Sequence, residues 1–288
     1  MAVSKSAMNE LGPYSAAGFI YFFSGIINFL IIWAVSGGKI LIAHLKDLPL
    51  KYYTQTGIFI VFNNVFFYLA LGLAKTNEEL ILVALINYLW PVLIAVFRIP
   101  IYKVKVKPWL FFPGILAALA GIIIALLQGY DAKELLRIAA ALDDNFLAFI
   151  FALIGAVSWA VYSNLIGKTA NKDDKVALPV IFVLSGLVFF ILQFFSKDAQ
   201  NLSLYPLISN PSLIYTIIGP TSLGYLFWFL AMKNGNSNLV TSLSYLIPLG
   251  SVFILSIIHS IPVKTMFWVS AILIVSGAIL GMKAVKSE

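Results

Sequence analysis

The chain contains no cysteine and only two histidines, and charged residues make up just 11% of its 288 positions. Without cysteine there is no disulfide, zinc–thiolate site or thiol nucleophile. His44 and His259 sit near the ends of apolar runs with no His or carboxylate partner at ligand spacing, so no metal is expected. A soluble domain carries about 25% charged residues to make its water-facing skin. This chain is 61% hydrophobic with mean hydropathy +0.97 and has no material for one. A soluble enzyme is excluded, and 15% aromatic content excludes a solvated coil. Also missing are a P-loop, an HExxH pair, a nucleophile elbow and carboxylates paired in register, so neither a cofactor nor a catalytic residue is expected. No Asp, Glu, Lys or Arg lies mid-way along an apolar run, and Glu78, Glu79 and Arg98 fall at run ends. Ion-coupled carriers commonly use an intramembrane carboxylate. Its lack favours facilitated diffusion or exchange over a pump.

What the chain does have is nine apolar runs of roughly 20 residues, the length a helix needs to cross hydrocarbon. They are approximately 16–35, 54–74, 79–98, 109–127, 145–166, 177–195, 212–232, 238–258 and 265–282. They must be helical because lipid cannot satisfy backbone polar groups. The expected class is therefore an all-α integral membrane bundle. The formal net charge of +7 is loop topology, and no nucleic-acid partner is expected. Lys39, Lys46, Lys51, Arg98, Lys103, Lys105, Lys107, Lys168, Lys172, Lys175, Lys233, Lys283 and Lys286 fall on one side of the bilayer. Only Lys5, Lys75, Lys133, Arg137, Lys197 and Lys264 fall on the other. The bias places the first set and the C-terminus in the cytoplasm, in the inner or plasma membrane of a prokaryote.

Residues 68–92 and 225–249 align without a gap at an offset of 157. Tyr68/Tyr225, Asn77/Asn234, Tyr88/Tyr245 and Pro91/Pro248 are among the matches. Ser24-Gly25 faces Ser185-Gly186, and Ala120-Gly121 faces Ser276-Gly277. The C-terminal half, 145–283, holds five spans, whereas 1–127 holds four. The partner of span 145–166 would fall off the front of the chain. The expectation is two inverted five-helix repeats whose first helix is largely absent, through a late start codon or truncation, with residues 1–15 as its exit and a Gly12-Pro13 turn. A genuine nine-span protein is the rival.

Inverted repeats place substrate sites near the midplane, where helices are often broken. Pro91 and Pro248 each remove one hydrogen bond and free the carbonyl four residues back, at Asn87 and Ser244. Asn87, Tyr88, Trp90 and Pro91 share an arc of roughly 160° that could line a cavity. Trp159 and Trp90 lie deep, where an indole N–H needs a partner; Trp228 is intermediate. Asn63 and Asn64 sit mid-span and point about 100° apart, so both must find partners. Asn28 and Asn164 read as interhelical glue. Ala148, Ala152, Ala156 and Ala160 form a small-residue stripe, and Gly277 and Gly281 a GxxxG. Both suit packing within the bundle, with a homodimer through the last span as the alternative.

INYLWPVLIAVF (86–97) and FLAFIFALIGAVSWAVY (146–162) resemble the YddG-type aromatic amino acid exporters of the drug/metabolite transporter superfamily, with its EamA-type repeats. The resemblance runs from Val3 to Val285. It implies ten helices in two inverted halves around a central cavity, and export of aromatic amino acids and related metabolites. It implies substrate contacts at Tyr88, Trp90, Trp159 and Tyr245, with Pro248 as a helix break; Asn63 stands at a third-helix position that is Tyr in some relatives. The expected partners are a small amphipathic metabolite and the lipid bilayer.

Other carriers of the superfamily, such as nucleotide-sugar or sugar-phosphate exchangers, want cavity Lys or Arg for phosphate, and none is seen at depth. An intramembrane lipid-modifying enzyme would need clustered acid–base groups. Its one acidic candidate is the loop 128–144, with Asp131, Glu134, Asp143 and Asp144. A non-transporting receptor or scaffold is disfavoured by the duplicated broken-helix motif.

Overall fold

The computed structural model describes residues 7–8, 10–127, 130–168, 176–196, 209–258 and 265–285. Among them, the regular structure is helical apart from one isolated bridge between Val106 and Val285. In chain order the helices are α1 (Pro13–Ser36), α2 (Gly38–Asp47), α3 (Leu50–Leu73), α4 (Asn77–Asn87), α5 (Trp90–Tyr102), α6 (Pro108–Leu127) and α7 (Ala132–Asp144). They continue as α8 (Phe146–Lys168), α9 (Ala177–Phe194), α10 (Pro211–Asn234), α11 (Ser237–Ser244), α12 (Ile247–Ile258) and α13 (Thr265–Ala284). Among the described residues, eight spans are long and apolar enough to cross a membrane, α4 and α5 together forming one of them. The expected run 238–258 is not one helix but two, α11 and α12.

Pro91 and Pro248, read from the sequence as helix breaks, each follow a full interruption of the helix. Pro91 and Pro248 sit in the first turns of α5 and α12, where a missing amide hydrogen costs no helical bond. The turn before each is built alike. Leu89 donates its amide to the Ile86 carbonyl at 3.1 Å, and Leu246 donates to Leu243 at 3.0 Å. Leu93 then donates to Leu89, and Gly250 to Leu246, both at 2.9 Å. The same bonds thus recur at the 157-residue offset read from the sequence.

Two spans widen into π-type turns, at Tyr53–Gly57 in α3 and Ile217–Gly224 in α10. Pro220 lies inside the second and cannot donate to a helical bond. The Ile217 carbonyl here accepts from Ser222 Oγ at 2.6 Å and, across to α1, from Ser24 Oγ at 3.0 Å.

Helix pairs meet through glycines. A Cβ on Gly186 would lie 2.6 Å from the Phe22 amide nitrogen of α1, and one on Gly25 would lie 2.8 Å from the Pro179 carbonyl of α9. Gly277 of α13 presses on Gly114 of α6, where a Cβ would come within 2.6 Å of the carbonyl oxygen. This end of the GxxxG is thus used inside the bundle. The alanine stripe of α8 is fully buried, with Ala156 and Ala160 against Trp90 and Ile94. Asn164 ties α8 to α5 by donating to the Ile94 carbonyl at 3.0 Å.

The acidic loop 128–144 proves to contain an amphipathic helix, α7. Asp131 accepts from the Glu134 amide at 2.8 Å, and Glu134 accepts from the Asp131 amide at 2.7 Å. This reciprocal capping box closes the helix N-terminus. Asp131 and Glu134 are thereby occupied locally, while Asp143 and Asp144 stand at the other end of the same helix. Before α1, Gly12 adopts φ 77°, a conformation that favours glycine, so the chain turns at Gly12-Pro13 as expected. His259 lies outside the described residues, as do residues 1–6 and 9 of the expected helix exit.

Candidate functional site

Three tryptophans from three spans meet in the middle of the bundle. Trp90 packs edge-on against Trp228 (5.3 Å between centroids, 89°) and Trp159 (6.1 Å, 84°), and Trp159 lies 5.7 Å from Trp228. Edge-to-face geometry sets the positive rim of one ring against the negative face of the next. Trp90 is delivered by the first turn of α5, and its position follows from the break before Pro91. The Trp228 indole donates to Ser163 Oγ at 3.1 Å, so its buried polar edge is satisfied.

The cluster continues through Tyr225, whose ring lies 4.9 Å from Trp159 and 5.1 Å from Phe182. Tyr21 follows, 6.0 Å from Phe182 and 5.2 Å from Tyr68. At Tyr225 the aromatic wall meets a polar network. Its hydroxyl takes a hydrogen bond from Tyr21 and donates to Asn64 Oδ1 at 3.2 Å. Asn63 Nδ2 donates to the Tyr225 oxygen at 3.2 Å and to Asn64 Oδ1 at 3.3 Å. Asn64 Nδ2 reaches Ser185 Oγ at 3.1 Å, and Ser185 donates on to the Ile181 carbonyl at 2.9 Å. Four spans are joined by one chain of neutral donors and acceptors, which costs far less in hydrocarbon than a buried charge. These residues lie within about two turns of the middle of their spans.

The structure brings together Asn63, Trp90 and Trp159 of the sequence-read set, on one connected wall. Tyr88 and Tyr245 do not join it. They pack with Val92, Ala118, Ile122 and Phe267 in a second cluster, and the Tyr88 hydroxyl reaches Ser251 Oγ at 3.5 Å. Asn87 is half-buried at the end of α4. Pro91, Pro248 and Tyr245 are buried, so the two breaks turn into the bundle rather than out to lipid. Sequence reasoning did not assign Tyr225, Trp228 or Tyr21 to the site. The signal for Tyr225 was present, since it is the repeat partner of Tyr68.

Below this wall, toward the lysine-rich end, lies a narrow cleft between α5, α6, α11 and α13. Tyr245, Arg98, Asn238, Thr241 and Ser242 line it. Its free room is about 30 Å³, enough for one or two waters. None of the three tryptophans lines this cleft.

Residues 146–282 match the EamA-like transporter family. The match covers the C-terminal half of the chain. Curated relatives extend the likeness beyond it. The "Aromatic amino acid exporter YddG" of Escherichia coli K12 is 28% identical over 278 residues, 96% of this chain and 89% of that protein. The protein of the same name from Salmonella typhimurium is 26% identical over 276 residues, again 96% and 89%. A crystal structure aligns over 97% of this chain and 91% of its own with a TM-score of 0.72 at 22% identity, a likeness of fold. The match to the EamA domain begins at α8 and ends within α13, so it contributes Trp159, Tyr225, Trp228 and Tyr245. Trp90 and Asn63 come from the half before it.

Proposed function

We propose that the chain exports aromatic amino acids, or metabolites close to them, by alternating access and without ATP. The observation that carries this reading is the mid-bilayer wall of Trp90, Trp159, Trp228 and Tyr225, joined to the amides of Asn63 and Asn64. Indole and phenol rings offer a flat apolar surface with ring edges for a substrate side chain, each pair contributing about 0.5–1.5 kcal/mol. Their faces attract an ammonium group. The names of the curated relatives point the same way. In this reading 1–127 and 145–283 are inverted halves, each carrying one broken helix, and the lysine-rich end with the C-terminus is cytoplasmic. Rocking of the halves would part the tryptophans and open the centre to one side at a time.

The test is flux in proteoliposomes of the purified chain loaded with labelled tryptophan, phenylalanine or threonine. Saturable flux of the aromatic substrates, competed by unlabelled tryptophan, is the expected result. A folded, monodisperse protein that gives no saturable flux of any amino acid would end the proposal.

A further inference from the structure

Arg98 lines the cleft beside Tyr245, and its surroundings are unlike those of a loop lysine. It projects from α5 one turn before the helix ends. Its Nη1 donates to Ser237 Oγ at 2.7 Å, and its guanidinium carbon lies 4.8 Å from the Tyr102 ring centroid. Its Nε is buried with no acceptor among the described residues. Among the described residues no carboxylate pairs with it, and its neighbours are the neutral Ser237 and Tyr102. A guanidinium has five donors in a planar fork suited to a carboxylate, and here the fork is only partly engaged.

The cleft supplies the space for such a partner. Arg98 shares it with Asn238, Thr241, Ser242 and Tyr245, and Gly277 and Gly281 keep the opposite wall low. The room present matches a carboxylate group but not a whole amino acid. Tyr245 forms part of the second cluster with Tyr88 and Val92, two residues from Trp90, so cleft and aromatic wall stand on the same broken helix.

We infer that Arg98, with Ser237 and Asn238 beside it, is a carboxylate-binding subsite at the lysine-rich mouth of the pathway. It rests on the reading of the chain as a carrier of amphipathic amino acids and deepens it. It supplies the cationic group that the mid-bilayer wall lacks. The carboxylate pairs with the guanidinium fork during entry, and the aromatic side chain is left to engage the ring cluster deeper in.

The experiment uses the full-length chain and two ligands that share an indole ring, indole-3-propionate with a carboxylate and tryptophanamide without one. Binding is read in detergent by quenching of protein fluorescence, and competition against labelled tryptophan is read in proteoliposomes. For Arg98→Gln the half-saturating concentration of indole-3-propionate should rise at least tenfold, while that of tryptophanamide stays within twofold. Arg98→Lys keeps the charge without the fork and should lose less, which also covers the case in which Arg98→Gln does not fold. Equal losses for both ligands, or no loss for either, overturn the subsite. An absence of saturable flux of any amino acid in the unmodified protein instead defeats the carrier reading, and the binding measurement still decides on Arg98.

Discussion

Trp90 and Trp228 meet at 5.3 Å and 89°, rim to face, although one opens α5 beside a proline and the other lies in the last two turns of α10. The contact joins the two halves of the chain at mid-depth, so a change at either ring is felt on both sides of the junction.

Replacing Trp90 by phenylalanine keeps an apolar ring but shortens its reach to Trp159 and Trp228. Loss of one or two edge-to-face contacts worth about 0.5–1.5 kcal/mol each should lower saturable tryptophan flux by about tenfold. The size-exclusion profile of the purified variant should stay that of the parent. A flux equal to the parent's would remove Trp90 from the substrate wall.

Tyr225→Phe deletes one oxygen from a network of five side chains. Tyr21 loses its acceptor, Asn63 loses one of two, and Asn64 Oδ1 loses a donor. Unpaired buried polar groups cost about 1–3 kcal/mol, so the melting temperature in detergent should fall by several degrees. Adding Asn64→Leu to this variant should cost less than the sum of the two single changes, since both act on the same hydrogen bonds.

Gly186→Val should prevent stable folding. The first added carbon already falls 2.6 Å from the Phe22 backbone nitrogen, and backbone cannot step aside as a side-chain tip can. The contrasting change is Gly250→Ala, where nothing lies within 4 Å of the new carbon. Expression as monodisperse protein, measured by fluorescence-detected size exclusion, should fall sharply for the first and hold for the second.

Hydropathy alone located all the expected runs but 238–258 to within a few residues of a span, because a stretch of about 20 apolar residues has one stable solution in a bilayer. The position of both broken helices was legible too, since proline removes a backbone donor wherever it stands. Asn63 and Asn64 were marked as residues that must find partners by the cost of an unpaired amide in hydrocarbon. The acidic stretch before α8 misled, because a capping box reads in sequence as a cluster of loop carboxylates.

The sequence by itself determined that the chain is a bundle of membrane-length helices, where two of its apolar runs break, and that residues 68–92 are echoed at 225–249. Each of these follows from local composition or from the chain's own backbone chemistry. Only the tertiary structure decided that Trp228, Tyr225 and Tyr21 complete the wall, that Tyr88 and Tyr245 pack apart from it, and that Arg98 faces a cleft. Helices that are apolar all round carry no preference for which face turns to lipid and which to protein, because lipid tails are as apolar as leucine. Their rotation is set by glycine contacts such as Gly25 on α9 and Gly277 on α6, and by hydrogen bonds between distant spans. Neither leaves a period in the sequence.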